Sequence, residues 1–153
     1  MARLDSTDTR LLDLLQRDAR LTAQDLGERL NLSASQAGRR RQRLEEAGLI
    51  RGYAARLDPA RLGLRVQAFV QVEMASHAPA RVRDFARLIE AQAEIISAWT
   101  LTGEADYLLR VFCADLAGLN RLLHDVLLPH DAVARVRSQI VMDQLKTDAP
   151  LPT

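Results

Sequence analysis

Two sequence signals eleven residues apart do most to limit what this chain can become. Thr22 with Asp25, and Ser33 with Gln36, have the spacing of a capping box, in which a residue and its third successor satisfy each other's backbone amides at a helix start. Between them Leu26 and Leu30 form an i, i+4 apolar pair, and Asn31 tolerates the left-handed backbone of a tight turn. Two helices this short, joined by about three residues, share one buried face, so the second must cross the first steeply. Gly27, midway along the first of the pair, leaves room for that crossing. Upstream, Leu11, Leu12 and Leu15 recur at helical spacing behind Asp5 or Ser6 as a cap. Downstream, the helix opened by Ser33 runs to about Gly48, a suitable C-terminal stop. The spacing predicts three helices, the last two a helix-turn-helix.

The third helix carries an unusual charge. From Ser33 to Leu57 six arginines face only Glu45 and Glu46, a local +4, in a chain whose 21 basic and 20 acidic residues nearly cancel. At about 100° per residue, Ala37, Leu44 and Ala47 turn to the packed side, while Ser35, Gln36, Arg39 and Arg43 gather elsewhere with Arg40 beside them. Gln and Arg both make paired hydrogen bonds to base edges in the major groove, and arginines further along such a helix clamp phosphates. Ser35, Gln36, Arg39, Arg40 and Arg43 are therefore the candidate contacts to double-stranded DNA. Ser33 is better explained as a cap than as a base contact. Arg40 has two readings, a phosphate contact or an ion pair to Asp5 or Asp8. Arg41 lies near the apolar stripe, with its stem along the core edge and its charge in water. The segment after Gly48 looks extended and is closed by Pro59; its Arg51 and Arg56 are either a short phosphate-touching wing or solvated linker charges.

From Arg65 the period changes to two: Val66, Ala68, Val70, Val72 and Met74 alternate with Gln67, Phe69, Gln71 and Glu73, which predicts a strand. Residues about 79–91 return to helical spacing through Val82, Phe85 and Ile89. Ile95 to Leu101 and Tyr107 to Cys113 read as two strands around the turn Thr-Gly-Glu-Ala-Asp. Leu116, Leu119, Leu123 and Val126 mark a helix ended by Pro129, and Arg135 to Met142 alternates again. The order β-α-β-β-α-β is the ferredoxin-like pattern. The fold class is thus α+β, with a winged-helix-like helix-turn-helix over 1–52, a linker strand over 53–64 and a ferredoxin-like sandwich over 65–153. A four-stranded sheet with helices on one face leaves large apolar side chains on the other, whichever face Phe69, Tyr107, Leu109 and Val111 take, and this predicts a homodimer.

Composition closes other routes. A single cysteine, Cys113, and three scattered histidines, His77, His124 and His130, exclude a disulfide framework and disfavour a metal enzyme. Neither His124 nor His130 has a nearby partner that makes a nucleophile–base pair, so no enzyme activity, metal or cofactor is expected. No run approaches the roughly 18 to 20 apolar residues of a membrane span, and the first residues lack the apolar core of a signal peptide. The expectation is a cytoplasmic protein without a membrane partner.

These residues together resemble the Lrp/AsnC family of transcription regulators along nearly the whole chain. The matching stretches include Leu-Asp-Ser-Thr-Asp at 4–8, Leu-Leu-Asp-Leu-Leu-Gln-Arg-Asp-Ala-Arg-Leu at 11–21 and Arg-Arg-Arg-Gln-Arg-Leu-Glu-Glu-Ala-Gly-Leu-Ile at 39–50. Thr-Gly-Glu-Ala-Asp-Tyr at 102–107 and Ser-Gln-Ile-Val-Met-Asp at 138–143 follow. The resemblance implies a DNA-binding helix-turn-helix, a ligand-sensing domain responsive to an amino acid, and dimers assembling into an octamer. It also implies an effector near the T-G-x-x-D turn, pointing to Thr102, Gly103 and Asp106, with Ser138 a weaker candidate. Gly103 admits a ligand to bare backbone and Asp106 suits an α-ammonium. The alternative is a plain hairpin turn in which Gly103 supplies the dihedral and Asp106 caps local amides. Ala34 stands where many members have proline, and Ala37-Gly38 replaces bulkier residues. The function implied is a sequence-specific, effector-responsive regulator; the alternative is an architectural protein that wraps DNA with weak sequence preference.

Overall fold

The computed structural model describes residues 4–152; Met1 to Arg3 and Thr153, where the first and last domain boundaries begin and end, lie outside them. Two compact units emerge, one reaching Arg56 and including the segment from Leu145, the other spanning Leu57–Gln144. The first unit holds α1 (Ser6–Arg17), α2 (Ala23–Leu30) and α3 (Ala34–Glu46). Each opens on a reciprocal capping box, Asp5 with Asp8, Thr22 with Asp25, and Ser33 with Gln36. Asn31 closes α2 in the left-handed conformation at φ 56°. A Cβ on Gly27 would sit 2.7 Å from the Leu32 carbonyl oxygen, so the crossing of α2 and α3 requires glycine there. Leu11, Leu15, Leu21, Leu26, Leu30, Ala37 and Leu44 form the core, with Ile50 packed against it. Fully burying a leucine side chain contributes about 1.5–3 kcal/mol, so this small cluster sets the unit's stability.

After α3 the chain departs from expectation. No strand forms between 53 and 64: residues 51–58 have no regular structure and 59–63 are a turn. An extended segment becomes a strand only when a neighbour supplies its ladder bonds, and no described residue does so here. The C-terminal segment groups with the helices through two hydrogen bonds between the Gln16 amide and the Leu151 backbone, at 2.6 and 3.2 Å. In space, the segment from Leu145 thus lies with the helices of the first unit.

The second unit is β1 (Val66–Met74), α4 (Pro79–Ala91), β2 (Ile95–Thr100), β3 (Tyr107–Cys113), α5 (Leu116–Arg121) and β4 (Val133–Ile140). The strands pair antiparallel in the order β2-β3-β1-β4, the ferredoxin-like arrangement. Ala68, Val70, Val72 and Met74 pack inward with Leu109, Val111 and Cys113 against Phe85 of α4 and Leu119 of α5. One segment deviates. Residues Leu122–Leu127 continue α5 as a π-helical turn, closed by the Leu128 amide on the Leu123 carbonyl at 2.9 Å. The wider turn brings Leu122 and Leu127, five apart, to one buried face. Of the leucines and valine that mark this helix in the sequence, Leu119 is buried, Leu116 is 59% exposed, and Leu123 and Val126 are only half-buried.

Candidate functional site

On α3 the exposed residues are Ala34, Ser35, Gln36, Arg39, Gln42, Arg43 and Glu46. Ser35, Arg39, Gln42 and Glu46 follow one another along a single stripe at helical spacing, while Gln36, Arg40 and Arg43 lie on the flank that meets α1. Gln42 escaped the sequence reading, although its position beside Arg39 follows from the same 100° step. Its amide nitrogen donates to Glu46 at 2.9 Å.

The flank residues are already engaged. The Gln36 Oε1 accepts the Ser33 backbone amide at 3.0 Å and the Ser33 hydroxyl at 3.2 Å. A two-bond contact to adenine needs that oxygen, so it competes with the cap. Arg40 donates one nitrogen to Asp5 and Asp8, both at 2.7 Å. Of its two readings, the ion pair is the one present. Arg43, expected to contact DNA, donates to both oxygens of Asp8 at 2.6 and 2.7 Å. Asp8 is only 1% exposed and also receives the Asp5 amide as the third residue of the α1 capping box. A carboxylate taken out of water needs this much compensation. Asp5 is held below the usual aspartate range by the Asp8 backbone amide and then by Arg40.

Arg41 also departs from expectation, because its charge is not left in water. Its Nε donates to Glu45 at 2.9 Å, another nitrogen donates to the Leu21 carbonyl at 3.2 Å, and its guanidinium sits 4.7 Å over the Tyr53 ring. Tyr53 in turn donates its hydroxyl to Glu45 at 2.7 Å. Arg56 donates to the Asp148 carbonyl oxygen at 2.9 Å. Arg39 makes no hydrogen bond or ion pair among the described residues.

The β2–β3 turn gathers Thr102, Gly103 and Asp106. Thr102 and Gly103 are exposed, and Gly103 takes φ 112° with nothing within 4 Å of where a Cβ would stand. Glycine supplies the dihedral, and the space above it is open. Asp106 does not cap its own turn. One carboxylate oxygen accepts the Met74 amide at the end of β1 at 2.6 Å, and the other meets His77 Nε2 at 2.7 Å. His77 and then Met74 lower the Asp106 carboxyl from its ordinary value near 3.8. The Asp106 backbone is bonded as well, its amide to Val72 at 2.9 Å and its carbonyl from Leu101 at 2.8 Å. An α-ammonium at Asp106 must share or displace His77. Ser138 is not brought to the turn within one chain: it is exposed on β4, two strands from β3 and opposite Val70.

Beside the turn, on the sheet face away from the helices, Gln71, Glu73, Glu104, Ala105, Arg135 and Arg137 line a cleft of about 20 Å³, room for a single water. That outer face also carries Phe69, Leu108, Phe112 and Trp99, whereas Tyr107, Leu109 and Val111 point to the helices. Trp99 is 46% exposed. Cys113 is buried, and burial pushes its thiol above the ordinary value, away from a reactive thiolate. No helix among the described residues is long and apolar enough to cross a membrane.

The fold and these two surfaces define a helix-turn-helix transcription regulator with an attached small-molecule-binding domain, and comparison with known proteins agrees. Residues 67–151 match the Lrp/AsnC ligand binding domain and residues 4–51 a winged helix-turn-helix DNA-binding domain. The chain belongs to the Lrp/AsnC family. It is 34% identical over 149 residues to the DNA-binding transcriptional activator DecR of Escherichia coli K12, covering 97% of this chain and 98% of that protein. It is 35% identical over 153 residues to the Bkd operon transcriptional regulator of Pseudomonas aeruginosa, covering 99% and 100%. Among solved structures, the transcriptional regulator NMB0573 of Neisseria meningitidis, in complex with L-methionine, superposes with a TM-score of 0.94 at 39% identity, covering 98% and 97%.

Proposed function

We propose that this regulator reads specific double-stranded DNA through the exposed side of α3, with Ser35, Gln36, Arg39, Arg40 and Arg43 as the contact region. Its DNA affinity or assembly responds to an amino acid bound at the β2–β3 turn near Thr102, Gly103 and Asp106. The observation that carries the DNA reading is the exposed stripe of α3, presented by a helix-turn-helix whose crossing is fixed at Gly27. The effector reading is supported by the open backbone at Gly103 and by the methionine complex of the Neisseria relative. The outer sheet face suits a homodimer, and further assembly to an octamer is part of the same reading, with Ser138 reaching an effector from another copy. The setting is cytoplasmic, and the protein acts by binding rather than by catalysis.

Fluorescence anisotropy tests the first part: binding to DNA from upstream of its own gene is expected to exceed binding to random duplex at equal salt. Equal affinity for both removes sequence-specific regulation. A thermal-shift screen against the twenty amino acids tests the second, with a rise in unfolding temperature expected for a small chemical subset. Loss of that rise in Asp106→Ala, with the oligomer retained, places Asp106 in the response.

A further inference from the structure

We infer that Arg39 is the cation of α3 that DNA neutralises, whereas Arg40, Arg41 and Arg43 are positioning residues that hold α3 at its angle. The inference rests on the DNA-binding reading above and divides the labour within it. All four arginines sit within five consecutive positions and look equivalent as charge. Their surroundings differ. Arg40 and Arg43 converge from one flank of α3 on the buried Asp8 of α1, with Asp5 as a second partner for Arg40. Arg41 is consumed on another flank by Glu45, the Leu21 carbonyl and the Tyr53 ring. Arg39 is exposed and, alone of the four, makes no hydrogen bond or ion pair among the described residues.

Binding to DNA gains from releasing the counterions condensed on phosphates, one set for each protein charge that takes their place. A guanidinium already balanced by a carboxylate contributes little to that exchange. Transferring Arg43 from Asp8 to a phosphate would also leave a buried carboxylate with one partner fewer. With Asp5 and Asp8 folded against it, the local excess of +4 falls to +2. The orientation of α3, by contrast, depends on these pairs: Asp8 joins the first turn of α1 to two successive turns of α3 and leaves the Arg39 stripe facing outward.

The dependence of DNA affinity on salt separates the two roles, because a change in slope reports charge delivered to DNA whereas a change in affinity alone does not. For the full-length protein, log K is measured against log salt on one duplex. Arg39→Gln is expected to lower the slope by about 0.9 for each protomer engaged. Arg40→Gln and Arg43→Gln are expected to weaken binding and lower the unfolding temperature at an unchanged slope, and Arg43→Lys, which keeps a donor for Asp8, to restore part of both. A slope that falls in Arg43→Gln as it does in Arg39→Gln overturns the division, and so does an unchanged slope in Arg39→Gln. Because Arg39 has no folded-state partner, its variant decides the matter even if Arg43→Gln does not fold. Wild-type protein without salt-dependent binding removes the DNA reading itself, a result distinct from either.

Discussion

Asp106 shows how one carboxylate organises a turn without belonging to its hydrogen-bonded ring. Its two oxygens bind the Met74 amide and His77, so the β2–β3 turn is fastened to the end of β1 from outside. Because the folded carboxyl is depressed, its contribution to stability is complete above the ordinary value near 3.8 and is lost as pH falls through the folded value. The difference in unfolding temperature between wild type and Asp106→Asn is therefore expected to shrink towards zero as pH falls below that ordinary value. The glycines of α2 and α3 make opposite predictions. Gly27→Ala forces a methyl against the Leu32 carbonyl and is expected to cost about 1–3 kcal/mol in urea unfolding. Gly38 has only the Ala23 Cβ at 3.6 Å, ordinary contact, so Gly38→Ala is expected to stabilise by up to about 1 kcal/mol.

The helix after β3 shows where element-level reasoning from periodicity fails. A regular 3.6-residue repeat selects Leu116, Leu119, Leu123 and Val126 as the buried face. One wide turn re-phases everything beyond Leu122, so Leu122 and Leu127 take the core positions. Leu127→Ala is expected to cost about 2–5 kcal/mol, whereas Leu116→Ala should stay within about 0.5 kcal/mol, both read from denaturant midpoints. β1 is the opposite case. Its alternation is short-range and uninterrupted, and every residue expected inward from Ala68 to Met74 is buried. The capping boxes at Thr22 and Ser33 were legible for the same reason, since each is completed within four residues.

At the scale of the molecule, the sheet face opposite the helices still presents Phe69, Leu108 and the half-exposed Trp99. The proposed homodimer covers this surface. Leu108→Arg, which places a cation amid it, is expected to shift the protein to monomer in light scattering while leaving the far-ultraviolet circular dichroism unchanged. Retention of the wild-type mass would locate the dimer contact elsewhere.

The order of elements, the tight turn at Asn31, the need for glycine at 27 and the inward face of β1 all followed from residues close together along the chain. Their causes, capping, periodicity and backbone dihedrals, act over a few positions. The partners of the α3 arginines did not follow in the same way. The pairing of Arg43 with Asp8 spans 35 positions, and Arg39 and Arg43 are alike in every local respect. The same holds for Asp106, whose partner His77 is 29 positions away, and for Ser138, which lies on β4, two strands away from β3 and its turn. Charge and burial at such sites depend on which distant groups the packed core brings within about 3 Å. Only the folded chain decides that.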